Sequence, residues 1–185
     1  MKKVFIKGGT IVNSKESFAG NILIEDEKIA KVSDPDEFIE IDNDTKVVDA
    51  SGKLIFPGFI DAHTHFDLHV AGTVTCDNFY SGTKAAISGG TTTIIDFGTQ
   101  YKGETLNEGM DNWLDKAKDG VFCDYGIHMS ISDWNEEAKR QCRDMMDRGV
   151  TTFKIYLTYD ILLKDNEAFE VIQRLKEVGA ITGGG

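Results

Sequence analysis

The sequence predicts an α/β fold in which a small all-β unit precedes the first half of a (β/α)8 TIM-like barrel. Short apolar runs separated by turn-forming residues fill residues 1–56, a pattern that is typical of β-structure. From residue 57 onward, β-branched apolar runs alternate with amphipathic helical stretches, as in repeated βαβ units around a buried parallel sheet. We therefore place a domain boundary at Phe56-Pro57-Gly58 and assign residues 57–185 to the barrel.

Five short strands are predicted in the all-β unit, each bounded by residues that favour turns. They span residues 4–7, 10–12, 21–24, 28–32 and 46–48. Gly8-Gly9 separates the first two of these strands, and Asp34-Pro35-Asp36 follows the fourth.

Four βα units and the start of a fifth strand are predicted after residue 57. The strands span residues 59–63, 92–97, 125–130, 152–157 and 180–182, and the helices span residues 79–88, 105–118, 135–147 and 166–178. Gly89-Gly90, Gly149 and Gly179 follow three of these helices, where a left-handed cap is favoured. A doubly wound sheet fits the same alternation, but no GxGxxG follows the first strand. A closed barrel needs about 250 residues, so this chain supplies about half of one.

The composition excludes several classes of protein. The 185 residues include 20 basic and 31 acidic side chains, and the resulting net charge of −11 argues against a nucleic-acid partner. No apolar run approaches the roughly 20 residues that span a bilayer, so we expect no membrane partner and a cytoplasmic protein. Cys76, Cys123 and Cys142 are odd in number and widely spaced, which indicates neither a disulfide framework nor a cysteine zinc site.

The run Gly58-Phe59-Ile60-Asp61-Ala62-His63-Thr64-His65 places two imidazoles at the end of the first barrel strand. The strand period of two puts His63 and His65 on the same face. Neutral imidazole is a common metal ligand, and barrel enzymes keep their active sites at the carboxyl ends of the strands. The alternative is that these are two surface histidines in a loop.

Lys154 lies within a strand that should be buried on both faces of a parallel sheet. Burial lowers the pKa of a lysine, and the neutral amine is a nucleophile able to take up carbon dioxide as a carbamate. The two anionic oxygens of a carbamate can bridge a pair of metal ions. The alternative is an edge-strand lysine that reaches solvent.

Four other polar side chains are weaker candidates. His128 in the third strand either points to the same end of the barrel or is a satisfied core histidine, and His69 lies in a predicted loop. Asp96, at the end of the second strand, either orients a ligand or caps a turn. Tyr159 should emerge near the end of the fourth strand, where a phenol can donate to a developing oxyanion or simply pack against the loop.

Together these residues resemble the amidohydrolase superfamily, and within it the dihydropyrimidinase and D-hydantoinase branch. Four parts of the chain carry the resemblance. They are residues 48–53 leading into Pro57-Gly58-Phe59-Ile60-Asp61-Ala62-His63-Thr64-His65; residues 72–79; residues 82–92; and Phe153-Lys154-Ile155-Tyr156 with Tyr159.

The resemblance implies a metal-dependent hydrolase that opens the cyclic amide bond of dihydropyrimidines or hydantoins through a metal-bound hydroxide. It further implies two zinc ions per complete subunit, with His63 and His65 binding one ion, carboxylated Lys154 bridging both and Tyr159 stabilising the oxyanion. The amino-terminal strands would form part of a small β-sandwich domain. The expected partners are a small cyclic amide or imide substrate and other copies of the chain in a homo-oligomer, a tetramer in this branch.

The sequence departs from the family pattern at its carboxyl end. A further metal histidine is expected at about Gly185, followed by another histidine and an aspartate that acts as general acid and base, but the chain reads Thr182-Gly183-Gly184-Gly185. Its histidines are His63, His65, His69 and His128. We therefore expect the isolated 185-residue chain to lack ring-opening activity.

Three other functions stay open on sequence grounds. A non-catalytic scaffold of the dihydropyrimidinase-related type typically loses metal ligands, whereas His63, His65 and Lys154 are present here. A dihydroorotase needs an arginine for the substrate carboxylate, and none lies near His63 and His65. An allantoinase-like hydrolase is harder to exclude.

Overall fold

The computed structural model describes residues 2–118 and 120–185. The chain divides into two compact units, Met1–Pro57 and Gly58–Gly185. No helix in the described part of the chain is both long and apolar enough to cross a membrane.

The first unit is a five-stranded sheet. Its strands are β1 (Lys3–Val12), β2 (Ser17–Glu25), β3 (Lys28–Ser33), β4 (Lys46–Asp49) and β5 (Leu54–Ile55). Strands β1, β2 and β3 pair antiparallel in sequence order, whereas β4 and β5 pair parallel with β1. The two strands predicted on either side of Gly8-Gly9 are one strand, because a register shift between Ile6 and Gly9 absorbs the irregularity without ending the pairing.

The second unit alternates strands and helices, as the sequence predicts. In chain order its elements are β6 (Phe59–Thr64), β7 (His69–Val70), β8 (Thr73–Val74), α1 (Phe79–Ser88), β9 (Thr91–Thr99), α2 (Leu106–Ala117), β10 (Asp124–Ile131), α3 (Glu136–Asp147), β11 (Thr152–Ile155), α4 (Asp165–Val178) and β12 (Ile181–Gly184). A parallel sheet has the strand order β12-β11-β10-β9-β6, and β7 pairs antiparallel with β8 in a small hairpin. The short hairpin was not predicted, because two-residue strands leave no periodic pattern in the sequence.

Helix ends follow the local sequence closely. The side chains of Asn78, Thr105 and Asn135 each accept a hydrogen bond from the backbone three residues later, which starts α1, α2 and α3. At the other end, Gly149 and Gly179 take positive φ angles of 91° and 80°, as predicted for left-handed caps.

The helices pack on one face of the parallel sheet and bury its apolar side chains. Met129, Ile131, Phe153 and Ile155 lie in one cluster with side chains of α2, α3 and α4, and Ile94 lies in a second cluster near α1 and α2. Because successive side chains of a strand point to opposite faces, the other residues of each strand point to the opposite face of the sheet.

Gly82 provides a test of the packing between α1 and the segment that follows β6. A Cβ atom at Gly82 would lie 2.2 Å from the Phe66 ring, so Gly82→Ala must displace a buried side chain. We expect the substitution to lower the free energy of unfolding by about 1–3 kcal/mol, as overpacking typically does. The loss from overpacking outweighs the roughly 1 kcal/mol by which alanine is favoured over glycine within helices.

Gly89→Ala is the matched control, because its Cβ would approach no atom closer than 3.5 Å and its φ of −92° suits alanine. We expect Gly89→Ala to change the free energy of unfolding by less than about 0.5 kcal/mol. Urea denaturation measures both variants, and a Gly82→Ala protein as stable as the wild type would contradict this account of the contact.

Candidate active site

The face of the parallel sheet that is not covered by helices borders a cavity of about 390 Å³. The register pairs His128 of β10 with Phe97 of β9, and Lys154 of β11 with Ser130 of β10. Side chains that reach the cavity therefore come from several strands, and they include His63, Phe97, His128, Lys154 and Ile181. The structure thus brings together most of the candidates that lie far apart in the sequence.

His63 and His65 converge at the carboxyl end of β6. Their Nε2 atoms lie 3.2 Å apart, and their rings meet edge to face with centroids 5.0 Å apart. The backbone N–H of His63 donates to the carboxylate of Asp61, two residues earlier in the chain, at 3.1 Å. The sequence pattern alone predicted a shared face, and the structure places the two ring nitrogens in direct contact.

The surroundings of His65 favour its neutral form. Burial of the half-buried ring, together with the positive charges of Lys154 and His63, lowers the pKa of His65 to about 4. Its Nδ1 atom is buried and has no hydrogen-bond partner in the described part of the chain. At neutral pH the imidazole is therefore uncharged, and one of its two ring nitrogens offers a lone pair.

Lys154 reaches the same cavity from β11, which lies between β10 and β12 and is not an edge strand. Its Nζ atom lies 4.6 Å from the centre of the Phe97 ring and 4.7 Å from the centre of the Tyr156 ring. Within the described residues, no carboxylate forms an ion pair with Lys154. Burial lowers the pKa of Lys154. The side chain is half-buried, which is less than we expected for a strand covered on both faces.

Phe97 is the residue that joins the site and that sequence analysis missed. The centre of its ring lies 4.7 Å from that of His63, 4.9 Å from that of His65 and 4.8 Å from that of His128. With Lys154 above it as well, Phe97 forms an apolar floor beneath the polar groups. An apolar residue in a buried strand carries no signal of such a role, because its sequence context is that of any core residue.

His128 agrees in part with both predictions made for it: its side chain lines the cavity, and both of its ring nitrogens have protein partners. Its Nε2 lies 3.1 Å from the carbonyl oxygen of Ala62, and its Nδ1 bonds the hydroxyl of Thr152. Because both ring nitrogens have protein partners, His128 holds neighbouring strands together and has no free nitrogen for a ligand.

Neither His69 nor Tyr159 lines this cavity. His69 begins the β7–β8 hairpin rather than a loop, its backbone N–H donates to the Tyr101 hydroxyl at 3.1 Å, and it borders a different cavity of about 480 Å³. Tyr159 follows β11, is 60% exposed, and has no side-chain hydrogen bond in the described part of the chain. Its φ angle of 68° is unusual for a bulky residue, and such strain is concentrated at functional sites.

Asp96 does not face the cavity. Its buried carboxylate lies on the helix-facing side of β9 and accepts hydrogen bonds from the backbone N–H groups of Phe66 and Phe97. Burial raises the pKa of Asp96 to about 6, and the two backbone hydrogen bonds oppose that rise. Asp96 therefore contacts the backbone beside His65 and not a ligand position.

The histidine pair fits a divalent metal ion. In tetrahedral zinc sites with Zn–N distances of about 2.0–2.1 Å, two ligating nitrogens lie about 3.3–3.4 Å apart. The observed 3.2 Å between the two Nε2 atoms is close to that spacing, and it also suits a hydrogen bond when one nitrogen carries a proton. The described residues contain no group of three His, Cys, Asp or Glu side chains able to hold a metal, so the pair is not joined by a third side chain of these types.

Comparison with known families and proteins shows a consistent relationship. The model of the amidohydrolase family matches residues 54–178. The chain is 41% identical over 181 residues to a dihydropyrimidinase of Dictyostelium discoideum, an alignment that covers 96% of this chain and 35% of the relative. It is 39% identical over 180 residues to a D-hydantoinase of Geobacillus stearothermophilus, covering 95% of this chain and 37% of the relative.

The fold shows the same relationship. The crystal structure of a dihydropyrimidinase from Brevibacillus agri superposes with a TM-score of 0.89 at 36% identity, covering 98% of this chain and 39% of that one. This likeness confirms the predicted fold class, an α/β chain that contains about half of a (β/α)8 barrel. The chain spans little more than a third of the length of the curated relatives it matches.

Proposed function

The chain belongs to the amidohydrolase family, and from that premise we propose that the whole protein is a metal-dependent hydrolase of cyclic amides, with dihydropyrimidines or hydantoins as substrates. The observation that carries the proposal is that His63 and Lys154 line one cavity, while the Nε2 atom of His65 lies 3.2 Å from that of His63. The similarity to proteins named dihydropyrimidinase and D-hydantoinase supports the substrate class.

In this proposal, His63 and His65 would hold one zinc ion, and Lys154 would contribute to holding a second. Bound zinc supplies Lewis-acid activation of water and of the substrate carbonyl. The protein provides the neutral imidazole of His65 for this purpose, since burial keeps that ring unprotonated. Phe97 beneath the pair limits the access of water to that side of the rings.

Lys154 would act as a carbamate. Its lowered pKa favours the uncharged amine, which attacks the carbon of carbon dioxide; an N–C bond forms and the nitrogen releases a proton. The product is an anion with two oxygens, placed beside His65 and above Phe97. Two oxygens on one group allow Lys154 to bridge a pair of metal ions.

Tyr159 is proposed to donate its phenolic hydrogen to the oxyanion that develops when the amide carbonyl is attacked. Two features support this role: the hydroxyl has no protein partner in the described part of the chain, and the backbone is held at an unfavourable φ of 68°. We also propose a cytoplasmic homo-oligomer, with a tetramer as the expected form.

The direct test of the function is substrate turnover. With zinc and bicarbonate present, the whole protein should open the ring of dihydrouracil and of a 5-substituted hydantoin. The loss of ring absorbance and the mass of the product measure this reaction. Allantoin, offered in parallel, should react more slowly. Turnover of allantoin alone would point to the allantoinase-like alternative, and a protein that neither binds zinc nor opens any of these rings would be the non-catalytic scaffold.

The isolated 185 residues should show no turnover of dihydrouracil. Within the described residues, His63, His65 and Lys154 are too few to hold two metal ions and a substrate. Metal-dependent ring opening by the purified 185-residue chain would contradict this expectation.

Zinc binding tests the histidine pair. His65→Asn should weaken zinc binding by more than about tenfold. Loss of an outer-shell partner typically weakens metal binding by about 10–100-fold, and loss of a ligand should weaken it at least as much. His69→Asn is the control, because His69 borders a different cavity. Competition with a chromophoric chelator measures both affinities, and circular dichroism checks that each variant is folded. Equal weakening in the two variants would exclude His65 as a ligand.

The carbamate can be observed without any activity measurement. With ¹³C-bicarbonate and zinc, the protein should show a carbamate carbon resonance that is absent from Lys154→Met. Lys139→Met should keep the resonance, because a hydrogen bond with Glu136 raises the pKa of Lys139 and keeps that amine protonated. A resonance that survives in Lys154→Met would assign the modification elsewhere or exclude it.

A further inference from the structure

A buried carboxylate lies directly behind the histidine pair, on the opposite face of β9. Asp96 is fully buried among apolar side chains of the cluster that contains Phe66, Phe79, Ile94 and Trp113. A buried carboxylate is costly unless several donors satisfy it. The identity of its donors therefore indicates what Asp96 does.

The two backbone donors to Asp96 belong to the two segments that form the candidate site. The backbone N–H of Phe66, the residue after His65, donates to the Asp96 carboxylate at 3.0 Å. The backbone N–H of Phe97, whose ring lies beneath both imidazoles, donates to it at 2.7 Å. One side chain thus links the backbone beside the histidines to the backbone beneath them, through hydrogen bonds that its charge strengthens.

Lys116 anchors the next peptide unit. Its Nζ donates to the carbonyl oxygen of Asp67 at 2.8 Å and lies 3.7 Å from the centre of the Trp113 ring. Asp67 itself has a φ of 48°, and its N–H donates to the carbonyl of Asp77 at 2.9 Å. The chain therefore turns sharply after His65, and side chains or backbone groups from other elements hold each step of that turn.

We propose that Asp96 is a positioning residue for the pair His63 and His65, and that Lys116 supports it by anchoring the following turn. The inference rests on the proposed function in assuming that the pair binds a metal. An amide could not replace the carboxylate fully, because asparagine has one accepting oxygen and its NH₂ group would face one of the two backbone donors. The expected defect is a less well-placed His65, not the loss of a ligand.

The test compares Asp96→Asn with Thr83→Val in the same protein. Thr83 is also fully buried, donates to the carbonyl of Phe79 and accepts from the N–H of Phe122 at 3.1 Å, and in the described part of the chain it forms no hydrogen bond with the segment 63–67. Both substitutions remove buried hydrogen bonds and should destabilise the fold. Only Asp96→Asn should weaken zinc binding, by about 10–100-fold as outer-shell partners typically do.

A second readout does not depend on metal. Amide hydrogen exchange of Phe66 and the ¹⁵N resonances of the His65 imidazole should change in metal-free Asp96→Asn and stay as in the wild type in Thr83→Val. Lys116→Met, which keeps an apolar stem of similar length, should shift both readouts in the same direction as Asp96→Asn but less. If Asp96→Asn does not fold, Lys116→Met decides the question.

The outcomes separate this inference from the proposed function. Wild-type zinc affinity and unchanged Phe66 exchange in Asp96→Asn would overturn the inference, as would equal loss of zinc affinity in Thr83→Val. If the wild-type protein binds no zinc, the proposed function fails, and the positioning role is then decided by the Phe66 and His65 signals alone.

Discussion

Parallel hydrogen bonding between neighbouring strands is the constraint on which the site depends. It brings the carboxyl ends of β6, β9, β10 and β11 to one edge of the sheet, and the period of two divides each strand between its faces. Apart from Asp96, the helix-facing half is mostly apolar and forms the core, and the other half carries the imidazoles of His63 and His128 and the amine of Lys154. A slip of one residue in β11 would exchange Lys154 for Phe153 and lose both the core contact and the candidate ligand.

Burial beside an apolar ring gives the polar groups their chemical character. His65 and Lys154 both lie against Phe97, and for both of them desolvation is the largest cause of a lowered pKa. A lowered pKa favours the neutral imidazole and the neutral amine, which are the forms that bind metal and react with carbon dioxide. Desolvation, and not a neighbouring opposite charge, is therefore the main cause of the lowered pKa of both side chains.

Strand β9 connects this chemistry to the core. Its cavity face carries Phe97, and its other face carries Asp96, which binds the backbone on both sides of the site. The helix α2 contributes Lys116 and Trp113 to the same region, so the turn after His65 depends on an element that supplies no side chain to the cavity. The position of the histidines is thus a property of the packed unit and not of β6 alone.

The sequence by itself determined the order of the barrel strands and helices, most of their ends and the family, because those depend on local apolar periods, capping residues and short motifs. It did not predict that one strand runs through Gly8-Gly9, nor the β7–β8 hairpin, since a bulge and two-residue strands leave little periodic signal. Only the tertiary structure decided that His128 is satisfied, that Asp96 faces the helices and that Phe97 underlies the site. These facts depend on strand register and on contacts between residues far apart in the chain, and no local pattern specifies them.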